Sequence, residues 1–206
     1  KQGLAKVAEC YGTRMFTTNL RCHIEGVEHI QFEELEPRHC TDRIVEMGIE
    51  RFKDRKLPVQ IPQISSESIH GFSHEYIDYM LGGTFRASYA PLNDNVINGK
   101  IRGVAGVVGC CNPRVKQDWV HVELVKELIK NDVLVLQTGC SQISLAKHGF
   151  YTPEAAQHAG DGLREVCETV GMPPVLGLGS CVDNSRILIA ACQMVRQGGL
   201  GESLAD

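Results

Sequence analysis

No apolar run in this sequence approaches the roughly 18 residues that a membrane-spanning helix needs, and no basic-then-apolar leader opens it. Those two absences point to a soluble, intracellular protein. Charge of one sign is also scarce. Lys and Arg number 21 against 25 Asp and Glu, a net charge of -4, so nothing favours nucleic acid or an anionic membrane as a partner. There is no internal repeat at solenoid spacing and no low-complexity tract. The 206 residues, 43% hydrophobic and 22% charged, suffice for one domain, or for one large and one small lobe, around a sizeable core.

Closely spaced cysteine pairs are missing too. Nine cysteines (Cys10, Cys22, Cys40, Cys110, Cys111, Cys140, Cys167, Cys181 and Cys192) include no Cys-x-x-Cys, the spacing usual in zinc sites. The odd count and the lack of a secretory leader argue against a disulfide framework and for metal binding or a reducing compartment. The chain opens at Lys1 without Met, runs at once into the helical pattern LAKVAE, and stops soon after another helix. It reads as a piece of a longer polypeptide.

Residues 1–100 are the less regular half. Leu4 to Cys10 reads as the end of a helix and Arg14 to Thr18 as a short strand. Thr41 and Asp42 offer a helix start, with Ile44, Val45, Ile49 and Phe52 following at helical spacing. Lys56 to Pro62 is a linker with two prolines, and Ser73 to Leu81 a further helix.

Residues 101–206 are far more legible. An apolar run, Ile101 to Val108, ends in Gly109-Cys110, and a helix from about Gln117 to Lys130 carries Val125, Leu128 and Ile129 on one stripe. A second run, Val133 to Leu136, ends in Thr138-Gly139-Cys140, and the short helix behind it closes at His148-Gly149. Thr152-Pro153-Glu154 opens another helix, with Leu163, Val166, Cys167 and Val170 on one face. A third run, Pro174 to Leu178, ends in Gly179-Ser180-Cys181 and enters a helix containing Ile187, Leu188, Ala191, Cys192 and Val195. Short strands alternating with helices predict an α/β fold: a Rossmann-like parallel sheet flanked by helices, with ligands at the carboxyl ends of the strands.

One unit therefore recurs: buried strand, glycine or glycine-serine, cysteine, helix. It delivers Cys110, Cys140 and Cys181. The glycine permits a sharp turn or a close approach to a bulky ligand, and a helix start favours the thiolate and lowers its pKa. If all three strands end on one edge, three soft thiolates converge. Without short pairs, that suits an iron-sulfur cluster better than a zinc knuckle.

The stretches GVVGCCNPRVKQD, VLVLQTGCSQISLAKHGF and GSCVDNSR resemble, in that order, the core of the anaerobic nickel-iron-sulfur carbon monoxide dehydrogenases. KVAECYGTRMFTTN and IPQISSESIHGFS carry the resemblance upstream, so it covers most of the chain, and GSCVDNSR is its most specific piece. The resemblance implies a central segment of the catalytic subunit, carrying part of the ligand set of a nickel-iron-sulfur C-cluster where CO and water become CO2, two protons and two electrons. It implies Cys181 at the nickel, with Cys110 and Cys140 on cluster irons. It also implies further 4Fe-4S clusters in the full-length protein, a homodimer, an anaerobic cytoplasm, and a ferredoxin-like electron carrier or acetyl-CoA synthase as partner. The family's other C-cluster ligands, a histidine and two cysteines, fall upstream of Lys1, and its proton-handling lysine and histidine also fall outside. The segment alone is therefore expected to be inactive.

Two departures stand out. Cys111 occupies a position where family members often have asparagine, and Gly177-Leu178 replaces a His-Met pair that often precedes the last Gly-Ser-Cys. A relative of the hybrid-cluster hydroxylamine reductases shares the architecture but calls for acidic cluster ligands that find no place here. A truncated, non-catalytic iron-sulfur scaffold is the reading from another class.

The remaining candidates have plainer readings. Cys167 and Cys192 lie on apolar helix faces, and Cys10, Cys22 and Cys40 have no partner at ligand spacing beyond the Cys22-His23 adjacency. Cys111 is an alternative ligand, although adjacent residues seldom aim at one site. His121 shares a face with Val125 and Leu128 as a satisfied, partly buried histidine, and His148 is a helix-end residue. His70 and His74 stand at i, i+4, but Gly71 between them places the helix start after it. Asp183, Asn184 and Ser185 read as helix caps, or as hydrogen-bond partners of cluster sulfur. Lys116 and Arg114 are solvated charges. The glycines at 103, 106, 109, 177 and 179 compose no G-x-G-x-x-G turn with an acid about 20 residues on, so no dinucleotide site is expected.

Overall fold

The computed structural model describes residues 12–18, 23–32, 36–82 and 88–204. The helix predicted over residues 4–10, and Cys22, lie outside them. The chain packs as two units, Lys1–Gln63 and Ile64–Asp206.

In the first unit a 3-10 turn (Gly12–Arg14) leads into β1 (Phe16–Thr17), which pairs in parallel with β2 (Glu28–His29), and α1 (Pro37–Phe52) follows. The predicted strand shrinks to two residues. The helix begins at Pro37, a turn ahead of Thr41 and Asp42, because a proline's fixed φ and missing N–H suit the first helical position. The Thr41 hydroxyl donates back to Pro37 O at 3.0 Å. Cys40 and Met47 turn inward, whereas Val45, Ile49 and Phe52 stay exposed. Arg43 ties the helix to β2 by a two-point pair with Glu28, at 2.6 and 2.9 Å.

The second unit runs α2 (His74–Gly82), α3 (Ala90–Ile97), β3 (Gly103–Val107), α4 (Trp119–Lys130), β4 (Val133–Thr138), α5 (Gly139–Ala146), a 3-10 helix (Pro153–His158), α6 (Asp161–Val170), β5 (Val175–Gly179), a 3-10 turn (Cys181–Asp183) and α7 (Asn184–Gln197). The strands form one parallel sheet in the order β3-β4-β5. This is the Rossmann-like α/β arrangement that the alternating pattern predicts. The central strand, VLVLQT, is buried from Leu134 to Thr138, as a parallel strand covered on both faces must be. Val125 and Ile129 of α4, Leu163 and Cys167 of α6, and Leu145 of α5 join it in the core. Each fully buried aliphatic side chain contributes about 1.5–3 kcal/mol. No helix among the described residues is long and apolar enough to cross a membrane.

Pattern regularity changes near residue 100, but packing changes near residue 64. Helices α2 and α3 pack against α7, which itself lies on β4 and β5. Residues 69–72 run along β5: Gly71 and Phe72 donate their N–H groups to Gly177 O at 3.1 and 3.0 Å, and Ile69 N–H donates to Tyr151 O at 2.7 Å.

The helix predicted to open at Thr152 is two helices. Asp132, in the turn between α4 and β4, accepts the Leu163 N–H at 2.9 Å and so caps α6 from another element. Gly160 N–H donates to Ile129 O at 2.9 Å at the break.

Candidate metal centre

Parallel strands in sequential order put the exits of β3, β4 and β5 on one edge of the sheet, and each exit carries a cysteine. Cys110 follows β3, Cys140 lies in the first turn of α5, and Cys181 opens the 3-10 turn after β5. The glycine before each has positive φ: +117° at Gly109, +63° at Gly139 and +135° at Gly179. These are backbone conformations that glycine adopts without strain. Gly139 is also a point of close approach, since a Cβ there would stand 3.3 Å from Cys181 Cβ.

The three exits are tied to one another. Ser141 donates its N–H to Gly109 O at 3.1 Å and its hydroxyl to Val107 O at 2.7 Å, which clamps α5 to the end of β3. The Thr138 hydroxyl at the end of β4 donates to Asn184 Oδ1 at the start of α7. Gln142 Oε1 accepts the Gly179 N–H at 3.2 Å, joining α5 to the end of β5. Asp183 closes a capping box with Ser180, accepting its N–H at 2.9 Å, and Arg186 Nε donates to the other carboxylate oxygen at 3.1 Å. Arg186 and the Ser180 N–H hold the Asp183 carboxyl below the usual carboxylate range. Asp183 is thus a cap, and Asn184 a cross-tie.

Cys110, Cys140 and Cys181 are all exposed. The neighbouring Cys110 thiol first, then partial desolvation and the charges of Cys111 and Cys181, push the Cys140 thiol up. This corrects the expectation of a lowered thiol at a helix start. At Cys140, crowding by the neighbouring sulfurs outweighs the dipole. The helix-start argument does not reach Cys110 either, because α4 begins only at Trp119. Among the described residues no three His, Cys, Asp or Glu side chains are drawn tightly enough to hold a single metal ion. A cluster asks less, because its ligands bind different metal atoms.

Cys111 turns to a separate polar network. Its sulfur lies 3.5 Å from Asp118 Oδ1, 3.6 Å from His121 Nδ1 and 3.5 Å from Ser144 Oγ. Asp118 also accepts from Ser144 Oγ at 2.8 Å and Gln117 Nε2 at 2.9 Å, and pairs with Lys147. Lys147 first, then Ser144, hold the Asp118 carboxyl well below its ordinary value near 3.8. A depressed carboxylate adds stability above the unfolded pKa of about 3.9, and that stability is lost as pH falls through the folded value. Asp118→Asn is therefore expected to be less stable than the parent at pH 7, with the gap narrowing from pH 5 down to pH 2. Urea unfolding across that range checks it, and parallel curves would refute it.

The other sequence candidates are structural. His121 is buried, and His148 Nδ1 lies 2.7 Å from Ser144 O at the helix end. Cys167 is buried, which pushes its thiol up to about 12, Cys40 is buried and Cys192 half-buried. His23 lies against His29 with ring centroids 3.8 Å apart and planes tilted by 35°. Lys116 and Arg114 are exposed. Sequence reasoning missed Asp118, Ser141 and Gln142. Only the position of Ser141 and Gln142 behind Cys140 hinted at them, since their partners are distant in sequence. At Gly177, where the resemblance implies a histidine, the space beside β5 holds the ring of His70, with Nδ1 2.9 Å from where a Cβ would stand.

Fold and site together define a parallel α/β protein with a thiol-bearing carboxyl edge. The profile of the Prismane/CO dehydrogenase family matches residues 1–205, and the chain belongs to that family. It is 43% identical over 204 residues to carbon monoxide dehydrogenase 1 of Methanosarcina mazei, a match covering 98% of this chain and 32% of that protein. The solved structure of carbon monoxide dehydrogenase IV from Carboxydothermus hydrogenoformans is similar with a TM-score of 0.77 and 43% identity, over 96% of this chain and 33% of that one. An acetyl-CoA synthase/carbon monoxide dehydrogenase structure, described with NiZn[Fe4S4] and NiNi[Fe4S4] clusters, matches with a TM-score of 0.77 and 35% identity, over 96% of this chain and 31% of that one. The chain spans about a third of the length of the curated relatives it matches.

Proposed function

We propose that this chain is the central segment of an anaerobic carbon monoxide dehydrogenase, an oxidoreductase that interconverts CO + H2O and CO2 + 2H+ + 2e-. Its cluster-binding half, residues 101–206, supplies Cys181 to the nickel and Cys110 and Cys140 to irons of the C-cluster, and the rest of the protein supplies the other ligands. The observation that carries this reading is the placement of three exposed cysteines at the exits of three parallel strands, on one edge of the sheet. Such a donor set fits a nickel-iron-sulfur cluster, since bound cations relieve the sulfur crowding and thiolates suit soft metals.

When bound, the cluster supplies Lewis-acid positions for CO and hydroxide and a sink for two electrons. The chain's own residues hold the thiolates in place. Gly139 and Gly179 keep side chains out of the crowded turns, and Ser141, Thr138, Gln142 and Asp183 brace the strand exits. The working protein is a cytoplasmic homodimer with further 4Fe-4S clusters, passing electrons to a ferredoxin-like carrier or coupled to an acetyl-CoA synthase. The likeness to a synthase-coupled structure supports the last of these.

The test is anaerobic nickel and iron analysis of the full-length protein, with CO-dependent reduction of an electron-accepting dye. Nickel, iron and CO oxidation together are the expected result. Iron without nickel, with hydroxylamine reduction in place of CO oxidation, would move the protein to the hybrid-cluster branch. A folded protein free of both metals would overturn the reading.

A further inference from the structure

Strand β5 reaches the cysteine-bearing edge past Gly177, and a Cβ at that position would stand 2.9 Å from each of His70 Nδ1, Gln142 Cδ and Tyr151 Cε1. Three side chains from three segments thus converge on the backbone just ahead of the Gly179-Ser180-Cys181 turn. The His70 ring stacks on Tyr151, with centroids 4.6 Å apart and planes at 27°. Tyr151 is fully buried, and its hydroxyl donates to Gln137 Oε1 at 2.8 Å. The backbone around His70 is fixed by the bonds from Ile69, Gly71 and Phe72 to Tyr151 and Gly177.

The hydrogen bonds settle which atom does what. A backbone N–H only donates, so the Gln142 atom facing Gly179 at 3.2 Å is the amide oxygen. The amide nitrogen therefore faces His70 Nδ1, 2.9 Å away, and Nδ1 accepts. The ring proton then sits on Nε2, which donates to Ser68 Oγ at 2.8 Å. The network requires a neutral imidazole. A protonated ring would set N–H against the amide NH2, and relieving that clash by turning the amide would set the same NH2 against the Gly179 N–H.

We propose that His70 is a positioning residue for Cys181: its neutral ring orients the Gln142 amide, and the amide holds the Gly179 N–H at the base of the turn that presents the cysteine. The significance of that turn rests on the metal role proposed above for Cys181. His70 remains an exposed residue, and the partial desolvation of its ring lowers it from its ordinary value, which favours the neutral form that the hydrogen bonds already require. The groups facing the ring are Tyr151, whose burial pushes its phenol up and keeps it neutral, and the uncharged Gln142, Ser68 and Gly177. A lowered histidine keeps the latch closed at neutral pH and opens it as pH falls through a value below about 6.5.

The experiment is hydrogen exchange at the Gly179 amide in the metal-free full-length protein from pH 8 to pH 5, referenced to the Leu176 amide in β5. In the parent, protection at Gly179 is expected to drop about tenfold at the acid end, the loss of one hydrogen bond. His70→Asn places an amide oxygen where Nδ1 stood and removes the titration, so protection persists to pH 5. His70→Phe keeps the stack without the acceptor, so protection is low at every pH and alkylation of Cys181 is several-fold faster. A His70→Phe protein with parental protection at Gly179, or a His70→Asn protein with the parental acid drop, overturns the proposal. The readout needs no metal, so a protein with this latch but without nickel would sink the carbon monoxide dehydrogenase reading and leave the latch standing.

Discussion

Replacing Cys181 by alanine in the full-length protein is expected to remove nickel and CO oxidation together, by a factor of about 100 or more, while leaving the fold intact. Removing an outer-shell partner of a metal ligand already costs about 10–100-fold, and Cys181 is assigned to the metal itself. The fold should survive because the turn does not depend on the thiol. Ser180 and Asp183 make the capping box, Arg186 braces it, and the side chain is exposed. Exposed substitutions of this kind stay within about 0.5 kcal/mol. Iron should fall less than nickel, because Cys110 and Cys140 remain. Cys111→Ser is the control, since its sulfur is engaged with Asp118, His121 and Ser144, and nickel content should not change. Metal analysis and dye reduction under anaerobic conditions read both variants. Parental nickel in the Cys181→Ala protein would strip that residue of its assigned role.

The largest stability loss is expected from Gly162→Ala, about 3 kcal/mol, at the upper end of the usual cost of overpacking. A Cβ at 162 would be driven into the carbonyl oxygen of Lys100, with the Lys100 carbonyl carbon at 2.8 Å and its Cα at 3.1 Å. Backbone on both sides is held. Lys100 and Ile101 donate N–H to Asn95 O at 2.9 and 3.0 Å, Arg102 donates to Asp132 O at 2.9 Å, and Asp132 caps α6 at Leu163. Neither wall yields without unpicking those bonds. Gly171→Ala makes the comparison, because it has φ of +75° but open space, so its cost is backbone strain alone, about 1–2 kcal/mol. Urea unfolding of both variants, metal-free, measures the difference. A Gly162→Ala protein no less stable than Gly171→Ala would mean that the helix start moves freely.

Some of the site was readable from local pattern. Apolar strand, glycine and cysteine recur three times, and a parallel sheet puts all three recurrences on one edge, although β3, at the margin of the sheet, is buried only at Val107 rather than throughout as the pattern predicts. The pattern misjudged ionisation, because a helix start favours a thiolate only until other sulfurs crowd it, as Cys110 crowds Cys140. It also joined the 3-10 helix at 153–158 to α6, since the carboxylate that separates them, Asp132, is contributed from across the fold.

By itself the sequence determined the α/β alternation, the strand exits at Cys110, Cys140 and Cys181, and the burial of β4. Those depend on side-chain periodicity and on glycine's backbone freedom, which are properties of neighbouring residues. Tertiary structure alone decided that Cys110 raises the Cys140 thiol, that Cys111 turns away to Asp118 and His121, and that His70 reaches Gln142 beside Gly177. Such pairings exist only after the strand–helix crossovers close the sheet, because a hydrogen bond depends on distance in space and carries no trace in a local pattern of hydrophobicity.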